Sequence, residues 1–438
     1  MERTSCCVVG GGPAGMTLGL IVARAGVPVT VLEKHDDFLR DFRGDTVHAS
    51  TLQLLDELGL ADRFRALPHR LVERFEFPLP GGPQVAIEMK HLTGAHKHIA
   101  MATQWDLLDL LADAGRDEPT FTLRMGVEVT GLLRENGRVV GVRYRDSTGA
   151  AGELAATVTV ACDGRGSTVR AASGLRVREF GVPLDVWWFR VPRRADDPAG
   201  IFVRSGDREL LVAIDRGDYF QVGYQIAKGS DATLRDEGVQ RFRERVAAIA
   251  PGFADRVGAV RSWDDVKLLT VRLERMPRWY RPGLLCIGDA AHAMSPVAGV
   301  GINLAVADAV AAARILASAL RRGKVRTRDL ARVQARRWAP TVITQALQRA
   351  VHRFFIAPRL TGARVAASPR PLARVLGRVP GRGAVAARVV GVGVLPEHAP
   401  PFARRPTAPA EVVLPTPPRL HAARGANPNH NTRDREVR

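Results

Sequence analysis

Six residues near the amino terminus, Gly10-Gly11-Gly12-Pro13-Ala14-Gly15, constrain this chain more than any other stretch. They follow an apolar run, Cys6-Cys7-Val8-Val9, and lead into Met16 to Ala25, which reads as a helix; a second apolar run, Val29 to Leu32, comes next. The pattern predicts strand, tight turn, helix and strand, a βαβ unit. Gly10, Gly12 and Gly15 have the GxGxxG spacing, which closes the turn and lets backbone N–H groups approach a pyrophosphate at the helix N-terminus. Glu33, eighteen residues beyond Gly15 at the end of the second strand, stands where an acid accepts hydrogen bonds from ribose hydroxyls. The alternative is a plain glycine-rich turn; with all four features in register, the reading is a dinucleotide site, without saying which dinucleotide.

The rest of the chain extends that unit. Helices are expected from about Ser50 to Gly59 and from Trp105 to Ala114, and short alternating segments between 120 and 160 read as paired strands. From about Phe180 to Leu273 the pattern is strand-rich again, a separate sheet, before a buried strand at Leu284 to Ile287 and an Ala-rich helix from Gly301 to Arg321. The expected fold is α/β: a Rossmann-like domain made of 1–178 and 274–340, an inserted, mostly β substrate domain at 179–273, and C-terminal helices over 341–395. Residues 396–438, rich in Pro and Arg, are expected to form a disordered tail.

Composition narrows the partners. The net charge of +19 is concentrated beyond Pro340, where sixteen Arg face four acids, and no aromatic and basic interleaving accompanies it. This argues against nucleic acid and leaves a weak attraction to anionic membrane surfaces for the stretch from Arg349 to Arg388. The four cysteines fit neither a zinc site nor a disulfide framework and read as buried thiols; with no signal segment or membrane-length apolar run, a cytoplasmic protein is expected, as monomer or homodimer.

A second constellation decides which dinucleotide. Leu285-Cys286-Ile287-Gly288-Asp289-Ala290-Ala291-His292 is followed by Pro296, Gly299, Gly301, Ile302 and Asn303. An acid directly after a buried strand suits the ribityl or pyrophosphate part of a flavin. A helix starting near Gly301 directs its positive end at the isoalloxazine edge, where it stabilises negative charge on the reduced ring.

Together with Ala161-Cys162-Asp163-Gly164-Arg165-Gly166-Ser167-Thr168-Val169-Arg170, these segments resemble the three motifs of the single-component flavoprotein aromatic hydroxylases, the p-hydroxybenzoate hydroxylase type, in the same order over about residues 5 to 395. The resemblance implies FAD as cofactor, NADPH or NADH as a transient reductant, and transfer of oxygen from a flavin C(4a)-hydroperoxide to a small aromatic or polyketide-like substrate. It also implies cofactor contacts at Gly10, Gly12, Pro13, Ala14, Gly15, Glu33, Arg43, Gln104, Asp163, Gly288, Asp289, Pro296, Gly299, Gly301, Ile302 and Asn303. No metal is expected.

The middle sheet departs from that family. Where p-hydroxybenzoate hydroxylase has an arginine at a strand start, this chain has Asp218-Tyr219-Phe220, so no substrate residue is carried over and no catalytic base is named. Trp187, Trp188, Phe189, Phe202, Phe220 and Tyr224 line a pocket or fill a core; His292 is expected beside the flavin phosphates, and His48 has no assigned role. The Trp-x-Trp-x-Ile-Pro signature of flavin halogenases is absent. An FAD-dependent reductase of an unsaturated isoprenoid-like substrate and a noncatalytic surface-binding flavoprotein are the competing readings.

Overall fold

β1 (Glu2–Val9) ends in four residues, Cys6 to Val9, that are almost wholly buried. Both of its faces are covered, which is why its sequence is continuously apolar instead of alternating. The chain turns at Gly10 to Gly12 into helix α1 (Pro13–Arg24), every residue of which from Ala14 to Ala23 is buried, and returns as β2 (Val29–Leu32). The computed structural model describes residues 2–39, 46–77, 85–198, 200–206, 208–361 and 382–406.

Around this unit the chain builds an eight-stranded sheet. Its parallel part runs in the order Leu284–Cys286, Ala151–Ala161, β1, β2, Phe121–Arg124, with antiparallel strands added at one side. The register places Leu32, Val9, Ala161 and Cys286 at one level across four adjacent strands. Helices Gln104–Arg116 and Gly301–Arg321 pack against α1. The Gly301–Arg321 helix is apolar and long enough to cross a membrane, but thirteen of its residues are buried in this core. The α/β, Rossmann-like architecture expected from sequence is present.

The inserted region starts and ends at one place, because Arg178–Phe180 pairs antiparallel with Leu273–Arg275. Between them lies a five-stranded antiparallel sheet in the order Ile201–Gly206, Glu209–Asp215, Tyr219–Ala227, Leu184–Pro192, Lys267–Leu269. Period-two alternation splits its side chains. Trp187, Phe189, Phe220 and Tyr224 point into a core shared with helix Val239–Ile249, so these four aromatics fill a core; Phe202 packs against it. Trp188 lies on the opposite face, level with Gly223 across the strands. A further three-stranded sheet, Thr46–Val47, Ile99–Ala102 and His69–Val72, was not separable in the sequence.

Helix Thr327–Val351 packs on Gly301–Arg321 and carries a buried polar face, Arg337, Thr341, Gln345 and Gln348, continued by His352. Arg337 Nε donates to Asp308 Oδ1 at 2.9 Å, and Asp308 is fully buried in the neighbouring helix. One expected boundary needs correction. Residues 396–406, placed by their prolines in a disordered tail, are packed: Ala399 and Ala403 are buried, and Glu397 bonds Arg336 at 2.6 and 2.9 Å while lying 3.7 Å from Arg337. Two small apolar residues and one paired acid anchor a segment whose composition alone lacks a core. The remainder of the expected tail, 407–438, lies outside the described residues.

Removing one partner of a buried ion pair leaves an uncompensated charge. Arg337→Met is therefore expected to destabilise the fold by about 3 to 5 kcal/mol in urea titrations, and Asp308→Asn added to it should recover part of that loss. An unchanged midpoint in the single variant would show that the pair is not structural.

Candidate functional site

The shared level of Leu32, Val9, Ala161 and Cys286 brings the three sequence motifs together, because each begins just past a strand's carboxyl end. In open parallel sheets that edge is where ligands bind. The hydrogen bonds Gly10 N–H to Leu32 O (2.8 Å), Cys162 N–H to Val9 O (2.7 Å) and Ile287 N–H to Ala161 O (3.0 Å) extend the ladder one step into each motif.

The first motif is closed by contact. A Cβ on Gly15 would overlap the Gly10 carbonyl oxygen, and one on Gly10, whose φ is +101°, would sit 2.6 Å from the Cys162 carbonyl oxygen. A Cβ on Gly12 would meet nothing within 4 Å. Helix α1 has Pro13 in its first turn, no side-chain cap and no acid there, so its leading amides are available to an anion. Glu33 is buried and accepts from Gly11 N–H at 2.7 Å and His35 N–H at 3.1 Å, which fixes the carboxylate beside the turn.

The second and third motifs are tied to each other. Asp163 accepts from the Ser167 hydroxyl (2.5 Å) and Val169 N–H (3.1 Å); burial nonetheless holds its carboxyl above the usual range, against those bonds. Arg170 donates to the Ala290 carbonyl (3.1 Å) and Glu274 (3.2 Å), and Arg165 reaches Asp289 at 3.5 Å. Both arginines stood inside the second motif, yet sequence gave no reason to single them out. Asp289 is partly exposed at the edge, and Gly288, at φ +58°, packs within 3.3 Å of where its Cβ would meet Ala14 in α1.

Behind this edge the loop 288–299 is held from within. Asp308 accepts from Gly288 N–H (3.1 Å) and faces His292 Nε2 at 2.5 Å. Burial pushes the Asp308 carboxyl up, but His292 and Arg337 outweigh it and hold it below the ordinary range. His292 is buried, paired with Asp308, and its ring lies tilted against Trp279 (ring centroids 4.8 Å). Gln348 donates to the Ser295 and Val297 carbonyls at 2.9 and 3.0 Å, and His352 Nε2 pairs with the Ser295 hydroxyl at 2.8 Å. Pro296 opens the short turn Val297–Gly299, in which Ala298 has φ +64°, a strained value for a residue with a Cβ.

Gly301, Ile302 and Asn303 form the first turn of the long helix, where N–H groups precede its first internal bonds. The Asn303 side chain is otherwise engaged: its Oδ1 accepts from His48 N–H (3.0 Å) and the Thr51 hydroxyl (2.6 Å), so it fixes the Thr46–Thr51 segment to the helix. Thr46 in turn bonds the Gly299 carbonyl at 2.9 Å. Gln104 opens helix Gln104–Arg116, half-buried, with Thr103 as the cap. Arg43 lies outside the described residues.

Among the described residues, five buried polar atoms lack partners around this region: His292 Nδ1 and His352 Nδ1 behind the 288–299 loop, and three more. His48 bonds the Val390 backbone through its ring, leaving Nε2 unpaired; Trp188 Nε1 and Gln225 Oε1 are unpaired on the sheet face opposite the aromatic core. Trp188 and Val297 pack against one apolar cluster that includes Val186 and Ile356, which brings that sheet face to the 296–299 loop. Burial holds both His48 and His352 down at about 4.

Comparison with known proteins agrees with this geometry. The family described as "FAD binding domain" matches residues 3–346. The chain is 36% identical over 393 residues, 88% of its length and 92% of the relative's, to 6-methylpretetramide 4-monooxygenase of Streptomyces rimosus. It is 27% identical to 3-demethoxyubiquinol 3-hydroxylase of Escherichia coli (strain K12), covering 79% of this chain and 88% of that one. Among solved structures, OxyS anhydrotetracycline hydroxylase from Streptomyces rimosus superposes with a TM-score of 0.71 at 24% identity, covering 89% of this chain and 76% of that one.

A histidine neutral in the fold but free to protonate when unfolded stabilises only above its unfolded value, so that contribution drains away between about pH 6.5 and about pH 4. Stability is expected to fall across that window by up to about 3 kcal/mol per histidine, and His48→Gln with His352→Gln should flatten the slope. Asp308, depressed instead, adds its loss only on further acidification. Urea titrations across this pH range check both; an unflattened slope in the double variant would reassign the loss.

Proposed function

We propose a substrate class from one premise: the chain belongs to the FAD-binding-domain family and is an FAD-dependent, NAD(P)H-consuming monooxygenase. The proposed substrate is a polycyclic aromatic molecule of polyketide type, hydroxylated on an electron-rich ring carbon. The relative carrying this reading matches nearly the whole chain and is named for a monooxygenation of 6-methylpretetramide. The observation in this chain that supports it is a pair of buried, unpaired atoms on one sheet face, the donor Trp188 Nε1 and the acceptor Gln225 Oε1, with Trp188 packed in one cluster with Ile356 and Val297 of the 296–299 loop. Such a donor and acceptor suit the hydroxyl and carbonyl groups of a largely apolar molecule.

The residues present fit the cofactor. The open space outside Gly12 and the uncapped start of α1 suit a pyrophosphate; Glu33 suits a ribose, with Pro13, Ala14, Gln104 and Asp163 around the same edge. Gly288, Asp289 and the first-turn amides of Gly301, Ile302 and Asn303 would hold the ribityl and ring portions, with Pro296 and Gly299 shaping the loop. Bound FAD supplies the redox chemistry, accepting hydride from NAD(P)H and activating O₂ for transfer of one oxygen atom.

The chain's part is orientation, exclusion of water and one proton. His48 is neutral; with the ring's N–H given to Val390, Nε2 is a bare acceptor. It would take the proton of a substrate hydroxyl, making the ring richer in electrons as the oxygen arrives. Its backbone is pinned by Asn303 on the helix that also presents the ring-binding amides, so base and cofactor site share one support.

Two outcomes are expected. Asp289→Ala should lower FAD retention at least about tenfold, read as flavin absorbance after gel filtration, while the apoprotein melts unchanged; full flavin occupancy would remove Asp289 from the site. NAD(P)H oxidation should rise with a polycyclic phenolic substrate, consume O₂ and add one oxygen to the product mass. In His48→Gln, hydroxylation should drop about 10²-fold while NAD(P)H oxidation continues. Conversion without O₂ would instead favour the reductase.

A further inference from the structure

The helix whose inner face holds the 288–297 loop is reversed in polarity. Arg337, Thr341, Gln345, Gln348 and His352 are buried, whereas Ile343, Leu347, Phe354 and Phe355 are 41 to 52% exposed on its outer side. Ile343 and Leu347 lie one turn apart, and Phe354 two turns further along the same side. Arg349 and Arg353 are exposed between them; Arg353 lies over the Phe354 ring at 5.7 Å and Arg349 over Phe180 at 5.0 Å. The exposed positions from Ile343 to Phe355 carry only apolar side chains and arginine.

Along the sequence the charge flanking this stripe is one-sided, although in the fold exposed Glu179 adjoins Phe180, on which Arg349 lies. Between Asp329 and Glu397 the sequence contains twelve Arg and no acid. Glu397, the nearest acid beyond, is buried against Arg336 and Arg337 and does not neutralise the outer side.

We propose that this stripe docks the protein on an anionic lipid surface, with Ile343, Leu347, Phe354 and Phe355 entering the headgroup and acyl boundary and Arg349 and Arg353 meeting lipid phosphates. A helix with exposed aromatic and aliphatic residues interleaved with arginines has the chemistry of an interfacial helix. A second copy of this chain fits less well. A two-fold contact places the same patch against itself, setting Arg349 and Arg353 against their own copies. The proposal is independent of the substrate assignment, since it uses only the outward side of the helix.

The test uses the full-length, FAD-loaded protein and vesicles of phosphatidylcholine with or without phosphatidylglycerol. Co-sedimentation is expected only with the anionic vesicles and should weaken in raised salt. Leu347→Ser with Phe354→Ser, and separately Arg349→Glu with Arg353→Glu, should each reduce binding at least about tenfold while flavin absorbance and melting stay as in the parent. Equal binding by the variants would overturn the assignment of the stripe, and no binding to anionic vesicles would overturn the proposal. Retention on immobilised polyglutamate without vesicle binding, or a dimer in sedimentation velocity that both variant pairs abolish, would replace lipid with an acidic protein or a second copy.

Discussion

The arrangement depends first on parallel register. Val9, Ala161 and Cys286 pair side by side, so three loops that begin far apart in the chain all start at one edge, within two strand spacings, about 10 Å. A slip of one residue in any of these strands would turn its side chains over and move its motif off the edge. The apolar sequences of Cys6–Val9 and Leu284–Cys286 hold the register because both faces of those strands are buried. The site's geometry is thus inherited from packing that contains no functional residue.

Register alone leaves the loops free, and buried polar groups immobilise them. Asp308 binds Gly288 N–H, His292 and Arg337 together, and each partner offsets part of the cost of burying a carboxylate. Gln345 and Gln348 satisfy carbonyls at Glu274, in the strand Leu273–Arg275, and at Ala293, Ser295 and Val297 in the loop that follows Gly288. With both ends of Pro296–Gly299 held this way, the positive φ of Ala298 can persist.

How much of this could be read beforehand differs by level. The βαβ unit, the two later motifs and the inserted sheet were legible because each is local: an apolar run followed by glycines and an acid at fixed spacing. Arg165, Arg170 and Asp308 were not, because their partners are brought near only by the fold. Asn303 was legible as a motif residue, but not the fact that its side chain reaches back to His48 and Thr51. Residues 396–406 misled through composition: prolines and arginines suggested disorder, while Glu397 and two alanines found buried partners.

The helix after residue 327 shows why hydrophobic pattern fails there. Amphipathic helices are read by assuming that the apolar stripe faces inward. Here the inward side must serve carbonyls of a loop, so polar residues occupy it, and each is paired: Gln345 and Gln348 with backbone, Arg337 with Asp308, His352 with Ser295. Of the buried polar atoms in these side chains only His352 Nδ1 lacks a partner, so burying the polar side costs less than its polarity suggests. That accounts for the inner face and says nothing for the outer one. Phe354, Phe355, Leu347 and Ile343 leave about half of their surface in water, apolar area that the fold does not use. Apolar area left in water beside Arg349 and Arg353 is what an interfacial contact would cover, and the packing of the inner face supplies no other reason for it.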